Sequence, residues 1–409
     1  MSDALPLPPH PNLEQYKKLA KDLQRACKLG DEAVRDWAAR WGGERVARQW
    51  QKIRKSDERM ASCTLAGAQF FVARCHGFTS WKKFAQHLEA LQRANSPVSK
   101  FESAADAIVN GDLTTLEKLL NENPELVRAR SAREHRSTLL HYVSANGIED
   151  FRQKTPGNIV DIARLLLDAG ANVHAESDAY GGRSTTLGLT ATSCHPEAAG
   201  VQISLMELLI GRGAIIGSAV VSCLRNGRGE AAEFLAKHGG RLELEAAAGV
   251  GRLDIVRTFF GDDGGLKPQM QNGFAWACEF GRTAVVDFLL EKGMEVDGKL
   301  PHNGQTGLHW AACGGHADTV KLLLERGAPV EAMDESFGGT PLEWALYGWG
   351  NAPGTVERGD YEAIALLVRA GARLDSQWFE GDDESRQRAV RKLRSDPRMQ
   401  AALRGELLK

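Results

Sequence analysis

Long apolar runs are absent from this sequence. Nowhere do about 18 consecutive residues read as apolar, which is the length that a membrane-spanning helix requires. The first residues, MSDALPLPPHPN, are polar and rich in proline, without the basic segment and apolar stretch of a secretory signal. We therefore expect a cytoplasmic protein with no membrane segment.

Cysteine is scarce, and its spacing is unlike that of the common sulfur-based sites. The seven cysteines are scattered and include no Cys-x-x-Cys pair. This pattern argues against a disulfide framework and against a zinc cluster, so we expect reduced thiols. Cys223, Cys278 and Cys313 fall at positions of the repeat described below that favour alanine, which predicts that they fill small apolar spaces.

Several catalytic and ligand-binding motifs are also missing. The sequence has no His-Glu-x-x-His zinc pattern, no Gly-x-Ser-x-Gly nucleophile turn and no Gly-x-x-x-x-Gly-Lys-Ser/Thr phosphate loop. We predict no metal and no cofactor, and we expect a binding protein rather than an enzyme.

An excess of basic residues is missing as well. The 51 Lys and Arg face 53 Asp and Glu, a formal net charge of −2, so nucleic acid is not expected as a partner. The charge is uneven, because residues 1–100 carry 18 basic and 10 acidic residues and the remainder carries 33 and 43. This contrast and the turn-forming Asn95-Ser96-Pro97 predict a domain boundary near residue 97.

What the sequence does contain is an internal repeat. Its clearest copy runs NGQTGLHWAAC from Asn303, then Gly-Gly-His, a leucine run and Gly327-Ala328. Gly304 permits the positive φ of a tight turn, Thr306 caps a first helix and Gly327 ends a second. Such a helix–turn–helix unit cannot bury its apolar face alone, so neighbouring units must stack.

This copy resembles the ankyrin repeat, with Gly307 in place of the usual proline. Weaker copies share its glycine and leucine positions, and we number the eight predicted repeats in chain order: 101–131, 137–173, 184–217, 218–242, 243–266, 272–297, 303–331 and 337–375. The resemblance implies an all-α solenoid that binds a partner protein through its concave face. It also implies that the motif histidines His141 and His309 link neighbouring turns by hydrogen bonds.

Three domains are predicted: a helical N-terminal domain over 1–97, the ankyrin array over 98–375 and a helical C-terminal cap over 376–409. The first is similar to a helical leader that precedes ankyrin repeats in a set of bacterial proteins, and Ser80 is a predicted N-cap in it. Asp396-Pro397 begins a helix of the cap. The first domain also interleaves arginines with tryptophans around Trp41 and Trp50, which predicts either an anion-binding surface or a solvated helix face with the indoles turned inward.

Three repeats are longer than the pattern requires. The extra residues lie between the two helices of the second, third and eighth repeats, at Ile148–Asn158, His195–Gln202 and Tyr347–Asp360. Insertions map to one edge of such an array, so the first two are expected to touch each other and wall a pocket. The sequence leaves three roles open for these insertions: solvent-exposed loops without a function, a binding site or a catalytic site.

Candidate site residues follow from these departures. In a pocket between the second and third repeats, His195, Glu149 and Tyr142 are the catalytic candidates of an alternative enzyme or small-molecule receptor, and Arg152 and Tyr180 are further binding candidates. One place after the motif histidine, Trp276, Trp310 and Trp344 share the repeat position of Tyr142. These rings form either a recognition row on the concave face or packing between repeats.

Overall fold

The computed structural model describes residues 4–60, 62–260, 269–300, 304–352, 358–380 and 383–407. The chain divides into two compact units, residues 1–216 and 217–409, and each is treated by itself. The boundaries predicted near residues 97 and 375 lie inside these units and stay predictions. Of the helices described, none combines the length and the apolar character needed to cross a membrane.

The first unit begins with five helices around an aromatic core. Phe71, Phe84 and Leu23 are fully buried there. Trp50 is also turned inward, as the second interpretation of this region predicts, whereas Trp41 is half-buried against the same core. The helices are α1 Leu13–Leu29, α2 Asp31–Trp41, α3 Gly43–Ser56, α4 Leu65–Cys75 and α5 Trp81–Leu91, with a 3-10 turn at Glu58–Met60. The Ser80 side chain accepts a hydrogen bond from the Lys83 amide at 3.3 Å, so the predicted N-cap is confirmed.

The expectation of reduced thiols is wrong for one pair. Cys27 on α1 and Cys63 just before α4 form a disulfide bond, with their Cα atoms 5.6 Å apart. The two residues lie 36 positions apart in the sequence, and the packing of α1 against α4 brings them together. Cys223 and Cys278 are buried, as predicted for small apolar filling, and Cys313 is half-buried.

Three repeats follow in the first unit, each a pair of helical segments. The pairs are α6 Pro97–Asn110 with α7 Leu113–Glu122, a 3-10 helix Leu139–Ser144 with α8 Ile159–Asp168, and α9 Thr186–Thr192 with α11 Gln202–Gly211. Between them lie the 3-10 turns Pro124–Arg128, Asp150–Arg152 and Ala179–Gly181, the short helix α10 Cys194–Ala198 and an antiparallel pair of strands, β1 Glu176–Ser177 and β2 Ser184–Thr185.

The second unit continues the same architecture through five helix pairs and a C-terminal segment. The pairs are α12 Ala219–Arg225 with α13 Gly229–Lys237, α14 Leu244–Gly249 with α15 Leu253–Thr258, α16 Gln269–Glu279 with α17 Thr283–Glu291, α18 Gly307–Cys313 with α19 Ala317–Glu325, and α20 Pro341–Asn351 with α21 Asp360–Arg369. A helical pair therefore lies in each of the eight predicted repeats. The predicted all-α repeat fold is confirmed.

The C-terminal segment packs against the eighth repeat. It consists of a 3-10 turn Ser376–Glu380, α22 Glu384–Arg394 and α23 Pro397–Ala402. Val390, Leu393 and Met399 are buried in the same core as the repeats, and Asp396 caps α23. A side chain at Gly350 of α20 would overlap Ala389 of α22, so the absence of one permits the close approach of these two helices.

Candidate functional site

The motif histidines have the structural role that the resemblance implies. His309 Nδ1 accepts a hydrogen bond from the Thr306 amide at 3.0 Å, and its Nε2 lies 3.1 Å from the carbonyl oxygen of Gly339 in the next turn. His141 makes the same contacts with Thr138 and with the Ala175 carbonyl. Both rings are buried, and both join one turn of the array to the next.

The four aromatic residues of the predicted row do not form one exposed surface. Tyr142 is fully buried and Trp276 is only 9% exposed, whereas Trp310 and Trp344 are half-buried. Tyr142 is covered because the Phe101 ring packs edge-on against it, 6.0 Å away between centroids. Trp276 lies beside Gly249 of the preceding repeat, where the missing side chain leaves room for it. The row as an exposed recognition surface is therefore limited to its last two members.

One of these two, Trp344, belongs to an aromatic groove in the second unit, which we define by Phe337, Trp344, Tyr347 and Trp378. The Trp310 and Trp344 rings meet edge to face at 5.6 Å, and the Phe337 ring lies 6.3 Å from that of Trp344. Trp344 and Tyr347 are three positions apart on α20 and so share one face of that helix. Together with residues of the C-terminal segment they enclose a cavity of about 370 Å³.

Hydrogen bonds fix the walls of the aromatic groove. Asp334 accepts bonds from the backbone amides of Phe337 and Gly339, at 2.7 and 2.8 Å, which holds the turn that carries Phe337. The same carboxylate accepts a bond from the Trp344 indole at 3.1 Å. Burial would raise the pKa of Asp334, but these hydrogen bonds lower it below the usual aspartate value. The turn and the indole are thus held in place by one carboxylate.

Carboxylates predominate among the charged residues of the aromatic groove. Glu343 and Asp383 line it together with one cation, Arg386. The Glu343 side chain accepts a bond from the Thr340 amide at 2.9 Å, and Asp383 accepts one from the Arg386 amide at 2.8 Å. Both carboxylates are therefore oriented by helix capping at the start of α20 and of α22.

A second notable cluster is a set of buried charges in the first unit. Arg133 Nη1 lies 2.6 Å from Glu102 Oε1 and 2.8 Å from Glu149 Oε1. Arg152 lies 2.7 Å from the other Glu102 oxygen and also contacts Asp106. We call these five residues, all buried except the half-exposed Asp106, the buried ion-pair cluster. Two guanidinium groups thus share two buried carboxylates.

The site residues Tyr142, Glu149 and Arg152 are in or against this cluster. Glu149 receives a hydrogen bond from the Tyr142 hydroxyl at 3.2 Å, and its side chain is completely buried. Burial would raise the pKa of Glu149, but Arg133, the neighbouring His135 and the charge of Arg152 hold that pKa well below the usual value. Burial raises the pKa of Tyr142 well above its ordinary value. Three predicted site residues are therefore brought together, but away from solvent.

His195 does not join them. Its side chain is half-buried on α10, and none of its described hydrogen bonds or ion pairs reaches Glu149, Tyr142 or Tyr180. The Tyr180 hydroxyl instead donates to Asn146 at 2.6 Å, and its ring is 64% exposed. Tyr180 and His195 therefore lie outside the buried ion-pair cluster.

The two insertions face different neighbours, which differs from the predicted shared pocket. The insertion of the second repeat turns toward the first repeat, because Arg152 reaches Glu102 of α6 and Asp150 pairs with Arg45 of α3 at 3.0 Å. The insertion of the third repeat closes on its own inner helix, since the Gln202 side chain donates to three carbonyl groups between Thr190 and Ser193. Between these two repeats, Asn146 donates to the Leu189 carbonyl and the Thr192 hydroxyl, and Asp168 of α8 pairs with Arg212 at the end of α11.

Sequence reasoning missed several residues of the aromatic groove and of the buried ion-pair cluster. Phe337, Trp378 and Arg386 of the aromatic groove were not identified, although an aromatic residue just before Gly338-Gly339 at a repeat turn is a usable signal. Glu102, Asp106 and Arg133 of the buried ion-pair cluster were missed because their proximity to Glu149 and Arg152 depends on how three separate segments pack. In the described part of the chain, no group of three or more His, Cys, Asp and Glu side chains stands close enough to hold a metal ion.

The comparison with protein families agrees with the helix pairs of the second unit. The family described as "Ankyrin repeats (3 copies)" matches residues 244–334 and 274–378. The chain is therefore an ankyrin-repeat protein over this part of its length. A comparison with curated proteins finds none that matches the chain. Ankyrin repeats are in general protein-interaction scaffolds.

Proposed function

We propose that this protein is a binding scaffold that takes up a partner protein in the aromatic groove of the eighth repeat. The observation that carries the proposal is the exposure of large aromatic side chains there. Phe337 is 74% exposed and Tyr347 is 46% exposed, next to the half-buried Trp344. Aromatic side chains grouped in one apolar depression are typical of binding hot spots.

The shape of the aromatic groove supports a side chain as its occupant. A cavity of about 370 Å³ lies at the small end of ligand sites, which suits one or two side chains of a docked segment. Trp344 and the turn of Phe337 are held by Asp334, so little ordering is needed on binding. A rigid aromatic wall beside an exposed ring is suited to an apolar anchor residue.

The charges of the aromatic groove indicate which residues flank that anchor. Glu343 and Asp383 outnumber Arg386, so the groove favours a segment with arginine or lysine next to its apolar side chain. Cations also interact with the faces of indole and phenol rings, which are present here. We therefore infer that the partner offers a short apolar and basic segment.

Selection of displayed peptides tests this proposal without a known partner. A random peptide library is selected against the full chain, and the binding of selected peptides is measured by fluorescence polarisation. We expect sequences with an aromatic or aliphatic residue beside Arg or Lys. Truncation of a hot-spot side chain costs at least about 2 kcal/mol, so Phe337→Ala and Tyr347→Ala should each weaken binding about 30-fold.

Tyr180→Ala is the matched control for Tyr347→Ala. Tyr180 is also exposed, but it lies in the first unit and not in the aromatic groove. It should leave the affinity for the selected peptides unchanged. If the selected peptides bind Phe337→Ala and Tyr347→Ala as tightly as the unmodified protein, the aromatic groove is not the recognition site.

The geometry does not favour the enzymatic alternative. Its candidates Tyr142 and Glu149 are buried against cationic side chains, and no described contact joins them to His195.

A cytoplasmic location stays a prediction. The Cys27–Cys63 disulfide argues against it, because disulfide bonds are rare in reducing compartments.

A further inference from the structure

A second cavity, lined by residues of the first unit, is open to a ligand of a different kind. It has a volume of about 660 Å³, within the range of small-molecule sites. Helix α5 contributes Lys83 and His87 to its wall, and the segment after the first repeat contributes Ser131 and Arg133. This cavity is separate from the aromatic groove, so the inference does not depend on the function proposed above.

The most buried residues that line this cavity carry polar atoms without a hydrogen-bond partner among the described residues. The His87 side chain is fully buried, yet neither ring nitrogen makes a hydrogen bond with any residue that the structure describes. Glu102 Oε1 lies 4.0 Å from Nε2, beyond hydrogen-bond distance. Nε of Arg133 is likewise buried without a hydrogen-bond partner. Buried polar groups are normally paired, so these atoms indicate a ligand that completes them.

Charge indicates the sign of that ligand. The carboxylates that line the cavity already have cations, since Glu134 lies 2.5 Å from Arg74 and Asp178 lies 3.8 Å from Arg136. Within the buried ion-pair cluster, Arg133 and Arg152 face three carboxylates, so Arg133 adds no uncompensated positive charge. Lys83 is exposed and forms no ion pair with the described residues, which leaves one positive charge at the cavity.

We propose that this cavity binds a small molecule through an oxyanion, a carboxylate or a phosphate group. Lys83 supplies the opposite charge, the His87 imidazole donates one hydrogen bond and Arg133 Nε donates another. A charged acceptor makes the strongest bonds with such donors, and a narrow group is needed to reach side chains this deeply buried. The rest of the molecule extends toward Gln86 and Arg136 at the opening.

Two probes distinguish the two oxyanions. Inorganic phosphate and succinate are titrated into the full chain by isothermal calorimetry, each against sodium chloride at equal ionic strength. We expect saturable binding of at least one probe with a dissociation constant below about 1 mM. Preference for phosphate or for succinate identifies the group that the natural ligand carries. Failure of both probes to bind above the chloride background overturns the proposal.

Adjacent lysines on α5 provide a matched pair of variants. Lys83 lines the cavity and Lys82 does not, and both side chains are exposed. Loss of one bond to a charged group should weaken the probe about tenfold in Lys83→Ala, while Lys82→Ala should match the unmodified chain. Equal weakening in both variants means general attraction to a basic surface and contradicts the site.

His87 tests the buried part of the cavity. His87→Phe keeps a ring of similar size but removes both nitrogens, so it should reduce binding at least tenfold. Circular dichroism checks that the variant folds, and His87→Gln, which keeps a donor and an acceptor, replaces it if it does not. Unchanged probe affinity in His87→Phe, or in His87→Gln if the first variant does not fold, excludes the histidine from the site.

Discussion

Replacement of Glu149 by glutamine removes one negative charge from the centre of the buried ion-pair cluster. Glu149 Oε1 lies 2.8 Å from Arg133 Nη1 and 3.5 Å from Arg152 Nη1, and the Glu149 side chain is fully buried. The variant has nearly the same shape, so little packing is lost. What changes is that two buried guanidinium groups lose one of the carboxylates that neutralise them.

The expected cost follows from that burial. Breaking a buried ion pair by removing one partner typically costs about 3–5 kcal/mol, because the remaining charge stays desolvated. Asp106, which is half-exposed, and Glu102 still face Arg152, so we expect the lower half of this range for Glu149→Gln. Asp150→Asn is the control. The Asp150 carboxylate pairs with Arg45 at a half-exposed position, so its loss should cost less than about 1 kcal/mol.

Urea unfolding followed by circular dichroism measures both variants. Because the chain has two compact units, amide hydrogen exchange on peptides of the first unit should report the loss separately, with the second unit as internal reference. Equal losses in Glu149→Gln and Asp150→Asn would refute the reasoning. The pH dependence gives a second check. The pKa of Glu149 is held well below its usual value, so its contribution is present above about pH 4.3 and is lost as pH falls further.

Three further predictions concern other parts of the chain. Burial lowers the pKa of His76 and His87 to about 4. The unfolded chain therefore binds more protons, and the free energy of unfolding should fall as the pH drops from about 6.5 toward 4. Urea midpoints that do not change between pH 7 and 5 would contradict this. Gly350→Ala should loosen the packing of α22 on α20 and expose apolar surface, which dye binding and light scattering detect. Unchanged melting and solubility would show that the two helices adjust to the added methyl group. Trp310→Ala should cost less than the roughly 3–5 kcal/mol of a fully buried aromatic, because the ring is half-buried; a chemical melt at the full cost would place the ring in the core.

The repeat pattern was predictable because its signals are local. Gly304 has the positive φ expected of its turn, Thr306 caps α18 and Gly327 ends α19, and each of these follows from residues within a few positions. The inner segment of the second repeat differs, since it forms a 3-10 helix at Leu139–Ser144 rather than an α-helix. It ends at Ala145, whose φ of 48° breaks the helix before the insertion begins.

The interior of the first unit was not predictable in the same way. Arg152 was a candidate for its polar character in a surface loop, but it is buried because Glu102 and Asp106 of the preceding repeat attract it. Nothing within a few residues of Arg152 indicates those partners, which lie 50 and 46 positions away. The insertion therefore packs on the first repeat, where its charges are neutralised, and not on the third.

The aromatic position shows how one place in a repeat acquires different roles along a single array. Tyr142 is covered by Phe101, and Trp276 occupies the room beside Gly249, so both pack between repeats. Trp344 instead lies beside the 3-10 turn Ser376–Glu380, which adds Trp378 as a wall, and beside the turn that exposes Phe337. An aromatic ring at this position thus stays partly exposed where a nonrepeating segment follows the repeat. This is why the aromatic groove lies next to the C-terminal segment. The repeat pattern alone could not locate it.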